Sequence, residues 1–342
     1  MILPPGTWTS HHHRLHLVLR RHPDLLPSAA PLLVAVSGGQ DSMALVGLLV
    51  DLQRLYRWQL WLWHGDHRWR SESTAQAAAL GSWAAAQGLQ LVEDSWHRSA
   101  GANPSESSAR DWRYQQLRMR AQERGCQRIV TGHTASDRAE TLLLNLARGS
   151  HRRGLASLQR QRSLGQGLEL VRPLLGFSRG DTSLICEHLR LPVWLDSSNE
   201  DPSFSRNRLR LEVMPVLNHL HPGADRRLAR LAEQLAEAER DSQELIRLAL
   251  ERLTGPAPAE ACGPALLRPA LCALQRSNQS QLLQAWLESH TGRRWPSRQI
   301  DHLLDRLPPG QRPGQADLGG GWRLHWRGLT LWLVDAAAAA AP

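Results

Sequence analysis

The chain contains no lysine: all 41 basic side chains are arginine, set against 32 acids for a net charge of +9. That absence excludes the Walker phosphate loop, whose lysine reaches the β and γ phosphates. Arginine for lysine across a whole chain reflects genome composition in the first instance. It still matters physically, because a guanidinium is a permanent planar cation that forks onto phosphates and stacks on bases. A basic chain of this kind favours an anionic partner, with nucleic acid the leading candidate. Cysteine is also scarce. Cys126, Cys186, Cys262 and Cys272 lie far apart and none forms a C-x-x-C pair. Neither a zinc ribbon nor an iron–sulfur site is signalled, and buried free thiols are the plain reading. Tyrosine and phenylalanine number two each beside 14 tryptophans, a compositional skew from which nothing functional follows. No apolar run reaches the ~18 residues of a membrane helix. The N-terminus lacks a secretory pattern, so a cytoplasmic location is expected. The histidines at 11–13 are too few for a tag.

What is present is an alternation. Short apolar runs, "LLVAVSG", "WQLWLWHGDH", "LQLVEDSW" and "CQRIVTGH", are separated by stretches of helical spacing. Strands alternating with helices predict βαβ units, hence an α/β fold with a Rossmann-like parallel sheet and helices on both faces. From about residue 216 the pattern changes to a long amphipathic segment over 224–253. A Pro/Gly-rich break, a small helical unit over 265–307 and an alternating hairpin with Arg-Gly at its turn follow. The expected domains are a catalytic domain over 1–215, a helical connector over 216–258, a mostly helical C-terminal substrate domain over 259–335, and an Ala-rich tail over 336–342.

Between the first strand and its helix lies Ser37-Gly38-Gly39-Gln40-Asp41-Ser42. A glycine-rich turn there aims backbone N–H groups and the positive end of a helix at an anion. The dinucleotide fingerprint G-x-G-x-x-G does not match. Asp41 is the informative residue: an acid beside phosphate is repulsive unless a cation lies between them, which points to magnesium-bound polyphosphate held at Asp41. His64-Gly65-Asp66-His67 and Gly132-His133 also follow strands. In parallel sheets the carboxyl ends of strands share one ligand crevice.

"SGGQDS" resembles the loop of the N-type ATP pyrophosphatases, which split ATP between the α and β phosphates. Further motifs narrow the resemblance to the lysidine synthases. They are "HGDHRWR" (64–70), "ARDWRYQQL" (109–117), "TGHTASDRAETLLLNLARGSHRRGLASL" (131–158), "VRPLL" (171–175) and "DSSNEDPSFSRNRLR" (196–210). Departures from the family pattern are Trp69 for leucine, Ser136 for aspartate, His151 for glycine and Phe204 for tyrosine. The chain looks like one of the shorter forms of that family.

The resemblance implies ATP-dependent transfer of lysine onto C2 of the wobble cytidine of the CAU-anticodon isoleucine tRNA, by adenylation of O2 and then attack of the lysine side-chain amine. ATP and Mg2+ are the implied cofactors. L-lysine and tRNA(Ile) are the implied partners, with no membrane partner and with a homodimer left open. Ser37 to Ser42, Asp66 and Arg110 would hold the nucleotide. Asp41, Arg113, His133, Asp137 and Glu140 would carry the chemistry: Arg110 and Arg113, one turn apart, as a phosphate clamp, Asp137 and Glu140 as the ammonium site, and His133 as proton acceptor. His67, Arg70, Arg148, Arg206, Asn207, Arg208 and Arg210 would meet the tRNA. Each has a plainer alternative: a solvated helix face for the arginines, a helix-start charge pattern for the acids, a structural role for His133 and a local turn role for Asp66. A tRNA thiolase would need a thiol pair, which is absent. A small-molecule synthetase would not need a C-terminal helical domain on a chain of net charge +9. A catalytically dead RNA-binding protein would not need the intact loop.

Overall fold

The computed structural model describes residues 8–66, 71–96, 106–156, 158–194 and 205–335. His67, Arg70 and the stretch holding Phe204 lie outside the described residues, as does the 336–342 tail. The chain divides into two compact units, Met1–Glu237 and Ala238–Pro342. The division falls inside one long helix rather than at either end of the expected connector.

The first unit runs α1 (Ser10–Arg21), β1 (Pro31–Ala35), α2 (Gln40–Tyr56), β2 (Gln59–Asp66), α3 (Ser71–Ala86), β3 (Gln90–Ser95), α4 (Glu106–Glu123), β4 (Arg128–Thr131), α5 (Ala135–Ala147) and α6 (Arg152–Leu155). It continues with β5 (Gln161–Gly165), β6 (Leu168–Val171), α7 (Arg179–His188), α8 (Ser205–Arg208), a π-helical turn over Leu209–Val213, α9 (Met214–Leu220) and α10 (Ala224–Leu253), which crosses the division. The sheet order is β3-β2-β1-β4-β6-β5. All pairings are parallel except β5 with β6.

The apolar runs make this sheet because both of its faces are covered. Leu32, Val34, Leu62, Val130 and Val171 face a core shared with α1, α2 and α7. The alternating set, Leu33, Trp63, Ile129 and Leu170, packs on Leu117 and Ala121 of α4. Two features escaped the sequence reading. The β5–β6 hairpin turns through Gln166 (φ 51°) and Gly167 (φ 74°) between paired Gly165 and Leu168. Positive φ at both loop positions is the I′ arrangement usually signalled by Asn-Gly. The second is α1. Its His12 is 1% exposed: Nδ1 accepts from Thr9 N (3.1 Å), and Nε2 donates to Asp51 Oδ2 (3.1 Å), so the middle histidine of the run is core structure.

The second unit holds the remainder of α10, then β7 (Thr254–Gly255), β8 (Ala265–Leu267), α11 (Arg268–Cys272), α12 (Arg276–Thr291), α13 (Ser297–Asp305), β9 (Gly314–Gly319), β10 (Trp322–Arg327) and β11 (Thr330–Asp335). Its helices pack Leu283, Trp286, Leu287 and Leu303 against Leu324, Leu331 and Leu333 of an antiparallel sheet ordered β7-β8-β11-β10-β9. The expected hairpin is β10–β11, shifted by one residue. Arg327 pairs with Thr330, so the loop is Gly328-Leu329, with Gly328 at φ 57°. Arg268, 2% exposed, donates to the carbonyls of Leu307, Pro308, Gln311 and Gly328, tying α11 to that loop. Among the described residues no helix is long and apolar enough to cross a membrane.

Candidate active site

The carboxyl ends of β1, β2, β4 and β6 form one edge of the sheet, where the 37–42 loop, Asp66, His133, Asp137 and Glu140 lie. After β1, Val36 N still donates to Trp63 O (2.8 Å), and the chain then breaks away. Gly38 takes φ 82°, and a Cβ on it would lie 3.2 Å from the Trp194 ring, so glycine fits on two grounds. Ser42 Oγ donates to Gly39 O (2.8 Å) and accepts from Ser37 N (3.2 Å), while Gly39 N donates to Ser37 Oγ (3.3 Å). The two hydroxyls thus build the loop. The first-turn amides of α2, which have no intrahelical acceptor, are left to meet an anion.

Gln40 sends its side chain elsewhere. Its Nε2 donates to Arg179 O (2.7 Å) and Thr182 Oγ1 (2.8 Å), fastening the loop to α7. Thr182 in turn donates to Asp41 Oδ1. Burial pushes the Asp41 pKa up, opposed by the Thr182 hydrogen bond, reinforced by Asp137 and opposed by Arg179 and Arg210. A desolvated carboxylate in the first turn of a helix whose free amides suit phosphate is a group that a cation would relieve. Magnesium is held by one or two carboxylates plus substrate phosphates, and Asp41 fits that donor set. Among the described residues no cluster of three acids, histidines or cysteines offers an all-protein metal site.

Gly132 brings the next strand in. A Cβ there would sit 2.8 Å from Asp41 O and 3.0 Å from Ser42 Cα, so the β4–α5 turn lies directly on the loop backbone. Neither backbone can yield cheaply. Gly132→Ala is therefore expected to raise the KM for ATP about tenfold, read by steady-state kinetics, while Gly125→Ala, with no neighbour within 4 Å, leaves it unchanged apart from its positive-φ strain.

From Gly132 the chain enters α5. Thr134 is its N-cap, with Thr134 N and Oγ1 donating to Asp137 Oδ2 at 2.8 and 3.0 Å. His133 Nδ1 lies 2.9 Å from Thr131 Oγ1. Burial pushes the His133 pKa down to about 4; Asp137 opposes this, and the cations of Arg172, Arg206 and Arg110 add to it.

Asp137 and Glu140 share a face of α5, as their spacing predicts, and they are already engaged. Arg206 Nη2 lies 2.8 Å from Asp137 Oδ1 and its Nε 2.9 Å from Glu140 Oε2. Arg210 Nε lies 2.7 Å from Glu140 Oε1, and its Nη2 3.4 Å from Asp137 Oδ1. For Asp137, burial works to raise the pKa, but His133, Arg206, the Thr134 amide and Arg210 together lower it. The four residues expected to meet tRNA as one basic cluster are thus divided. Arg206 and Arg210 turn inward to the acids, Asn207 is buried, and the exposed Arg208 pairs with Glu212 at 3.2 Å. The reason is desolvation: Glu140 is 2% exposed, and a buried carboxylate requires counter-charge.

The remaining expectations fall as follows. Asp66 is 5% exposed at the end of β2, with Thr74 Oγ1 at 3.4 Å from its carboxylate and Trp96 N donating to its carbonyl. Arg110 and Arg113 are exposed on α4. Arg148 is exposed at the C-cap of α5. Ser136 Oγ lies 3.4 Å from Asp225 Oδ2 and accepts from Arg179 N (3.3 Å). His151 has φ −67°, a conformation open to any residue, so glycine is not required there. The sequence reading missed Thr182, Arg179 and Trp194, which brace the loop, and Arg172, although "VRPLL" had been singled out.

Residues 12–217 match the family model described as the PP-loop domain. The chain is 49% identical over 335 residues to a tRNA(Ile)-lysidine synthase of Parasynechococcus marenigrum, covering 97% of this chain and 96% of that one. It is 37% identical to a tRNA(Ile)-lysidine synthase of Prochlorococcus marinus, covering 96% and 97%. The chain belongs to the tRNA(Ile)-lysidine synthase family. A U34-tRNA thiolase from Methanococcus maripaludis superposes with TM-score 0.56 at 19% identity, over 66% of this chain and 77% of that one, a likeness of fold. Of the four free cysteines, Cys126 precedes β4, Cys186 lies in α7, and Cys262 and Cys272 belong to the second unit. In this lysidine synthase family member the loop, His133 and the acid pair therefore occupy adjacent strand ends of one PP-loop sheet.

Proposed function

We propose that this chain ligates lysine to the wobble cytidine of the CAU-anticodon isoleucine tRNA. Cytidine O2 attacks the α-phosphorus of ATP and pyrophosphate leaves. The lysine side-chain amine then attacks C2, AMP leaves with the O2 oxygen, and one proton is released. The observation that carries this reading is the abutment of Gly132 on Asp41, which sets the phosphate loop beside His133, Asp137 and Glu140.

The residues divide the work. The α2 amides and loop receive the polyphosphate. Asp41 would hold Mg2+, which supplies charge neutralisation when bound. Arg110 and Arg113 lie one turn apart on α4 and suit the α-phosphate and the adenylate. Asp137 and Glu140 suit the lysine ammonium. His133 is neutral at pH 7 in this arrangement. Phosphate charge on the loop, with Arg110 beside it, would offset part of the cationic field that depresses it and make it a stronger proton acceptor. The exposed Arg148 and Arg208 suit the tRNA backbone, as does the second unit.

The test is incubation with ATP, labelled lysine and tRNA transcripts bearing CAU anticodons. Label is expected in the isoleucine species and not in methionine tRNA. ATP–pyrophosphate exchange on another acceptor, with no lysine incorporated, would overturn the reading.

A further inference from the structure

Two arginines of the first unit are buried to the same degree and treated differently. Arg138, 2% exposed, is compensated: Glu233 Oε2 lies 3.4 Å from its Nη1, and Glu233 also takes Arg160 at 2.7 Å. Arg172, 3% exposed, has no carboxylate partner among the described residues. Its Nη1 donates to Gln159 O (2.7 Å), and its buried Nε has no hydrogen-bond partner.

Its neighbours do not supply the missing charge. The guanidinium carbon of Arg162 lies 5.8 Å from the centre of the Tyr114 ring, and that of Arg110 lies 5.5 Å from the same ring. Among the described residues neither forms an ion pair. The register explains the gathering. Arg162 on β5 is opposite Leu170, and Arg172 stands two residues beyond Leu170 on the face that α4 covers. Tyr114 comes from that helix. Burial lowers the Arg172 pKa, the Tyr114 phenol opposes this, and Arg162 and Arg110 add to the lowering. A desolvated cation among like charges is costly unless an anion completes the site.

We propose that Arg172, Arg162 and Tyr114 form a phosphate site for the tRNA backbone, separate from the ATP loop. The strand order decides between the two sources of phosphate. Counting from β1, which carries the ATP loop, β4 with His133 and the acid pair comes next, then β6, then β5. At about 4.8 Å per strand, β6 lies roughly 10 Å beyond the loop, on the far side of the reacting centre. An anion there is placed as a phosphodiester flanking the cytidine, with Arg110 at the border between this site and the crevice. The inference rests on the reading that tRNA is the substrate.

The exposed Arg162 permits a test without hollowing the core. For Arg162→Gln, tRNA transcript binding at low salt is expected to weaken about five- to tenfold. The slope of log affinity against log salt should shrink by about 0.7–0.9, one phosphate contact. Affinity for a non-hydrolysable ATP analogue without tRNA should be that of the unaltered chain. Tyr114→Phe should show a smaller loss of the same kind. Equal tRNA affinity and slope would overturn the site, and so would a loss that appears in the ATP-analogue affinity instead. If the unaltered chain binds no tRNA, the functional reading itself fails, a result distinct from either.

Discussion

Glu140→Gln is expected to lower kcat/KM for lysine by two orders of magnitude or more, with KM taking most of the loss and the KM for ATP within about twofold of its starting value. Glu140 is 2% exposed and accepts from Arg206 Nε (2.9 Å), Arg210 Nε (2.7 Å) and Arg210 Nη2 (2.9 Å). With Asp137 the group holds two negative and two positive charges, so it is neutral. A lysine ammonium entering it adds one positive charge, and one guanidinium must let go of the acids. Glutamine keeps the shape but leaves three positive groups facing one carboxylate. Removing one partner of a buried pair costs about 3–5 kcal/mol, enough for the stated factor at 1.4 kcal/mol per decade.

Part of that cost falls on the free protein, because Arg206 and Arg210 lose their buried counter-charge. Two readouts therefore belong together: steady-state kinetics with labelled lysine, and Tm with and without lysine. Lysine should raise the Tm of the unaltered chain by mass action and fail to do so for the variant. A variant with lower Tm but unchanged lysine KM would show that the carboxylate only locks α5 to the segment after residue 205.

The lock explains why this part of the site resisted sequence reading. The acids on α5 are a local pattern, i and i+3 on one helix, and so is the loop between an apolar strand and an apolar helix. Both were legible because a few consecutive residues fix them. Arg206 and Arg210 are 66 and 70 residues from Glu140. Spacing alone reads them as a basic patch, and only folding reveals them as counter-ions. The same holds for Gln40, whose position suggests the nucleotide but whose side chain finds α7, 139 residues away. Arg172 carries no signal within "VRPLL", because its lack of a carboxylate partner among the described residues emerges only when the strand is buried. The β5–β6 hairpin was missed because Gln161–Gly165 is polar edge strand without alternation and its turn is Gln-Gly. The parallel core strands, continuous in Leu and Val, left no such ambiguity.

His133 makes the first unit sensitive to acid. Its pKa falls from 6.5 to about 4, by burial first and by Arg172, Arg206 and Arg110 next, against the pull of Asp137. Between those two values the unfolded chain binds a proton that the native histidine refuses. Stability therefore rises with pH through this window and is lost as pH falls from about 6.5 towards 4. From pH 7 to pH 5 the loss is about 2 kcal/mol, or roughly 4–8 °C in Tm for a unit of this size. His11, also lowered by burial, adds in the same direction. Asp41, whose pKa is raised, works the other way, but near its own ordinary value of 3.8 and above, where it favours the native state in acid. Thermal melts across pH 7 to 5 should show His133→Gln with a flatter curve than the unaltered chain, and superimposable curves would remove His133 as the cause. Added Mg-ATP gives the second half of the test. Phosphate on the loop, with Arg110 beside it, offsets part of the cationic field that depresses His133, so the nucleotide complex should take up a proton on the imidazole at higher pH. The acid loss of nucleotide-bound stability should then be smaller than that of the free chain, a linkage that a purely structural histidine remote from the phosphates would not produce.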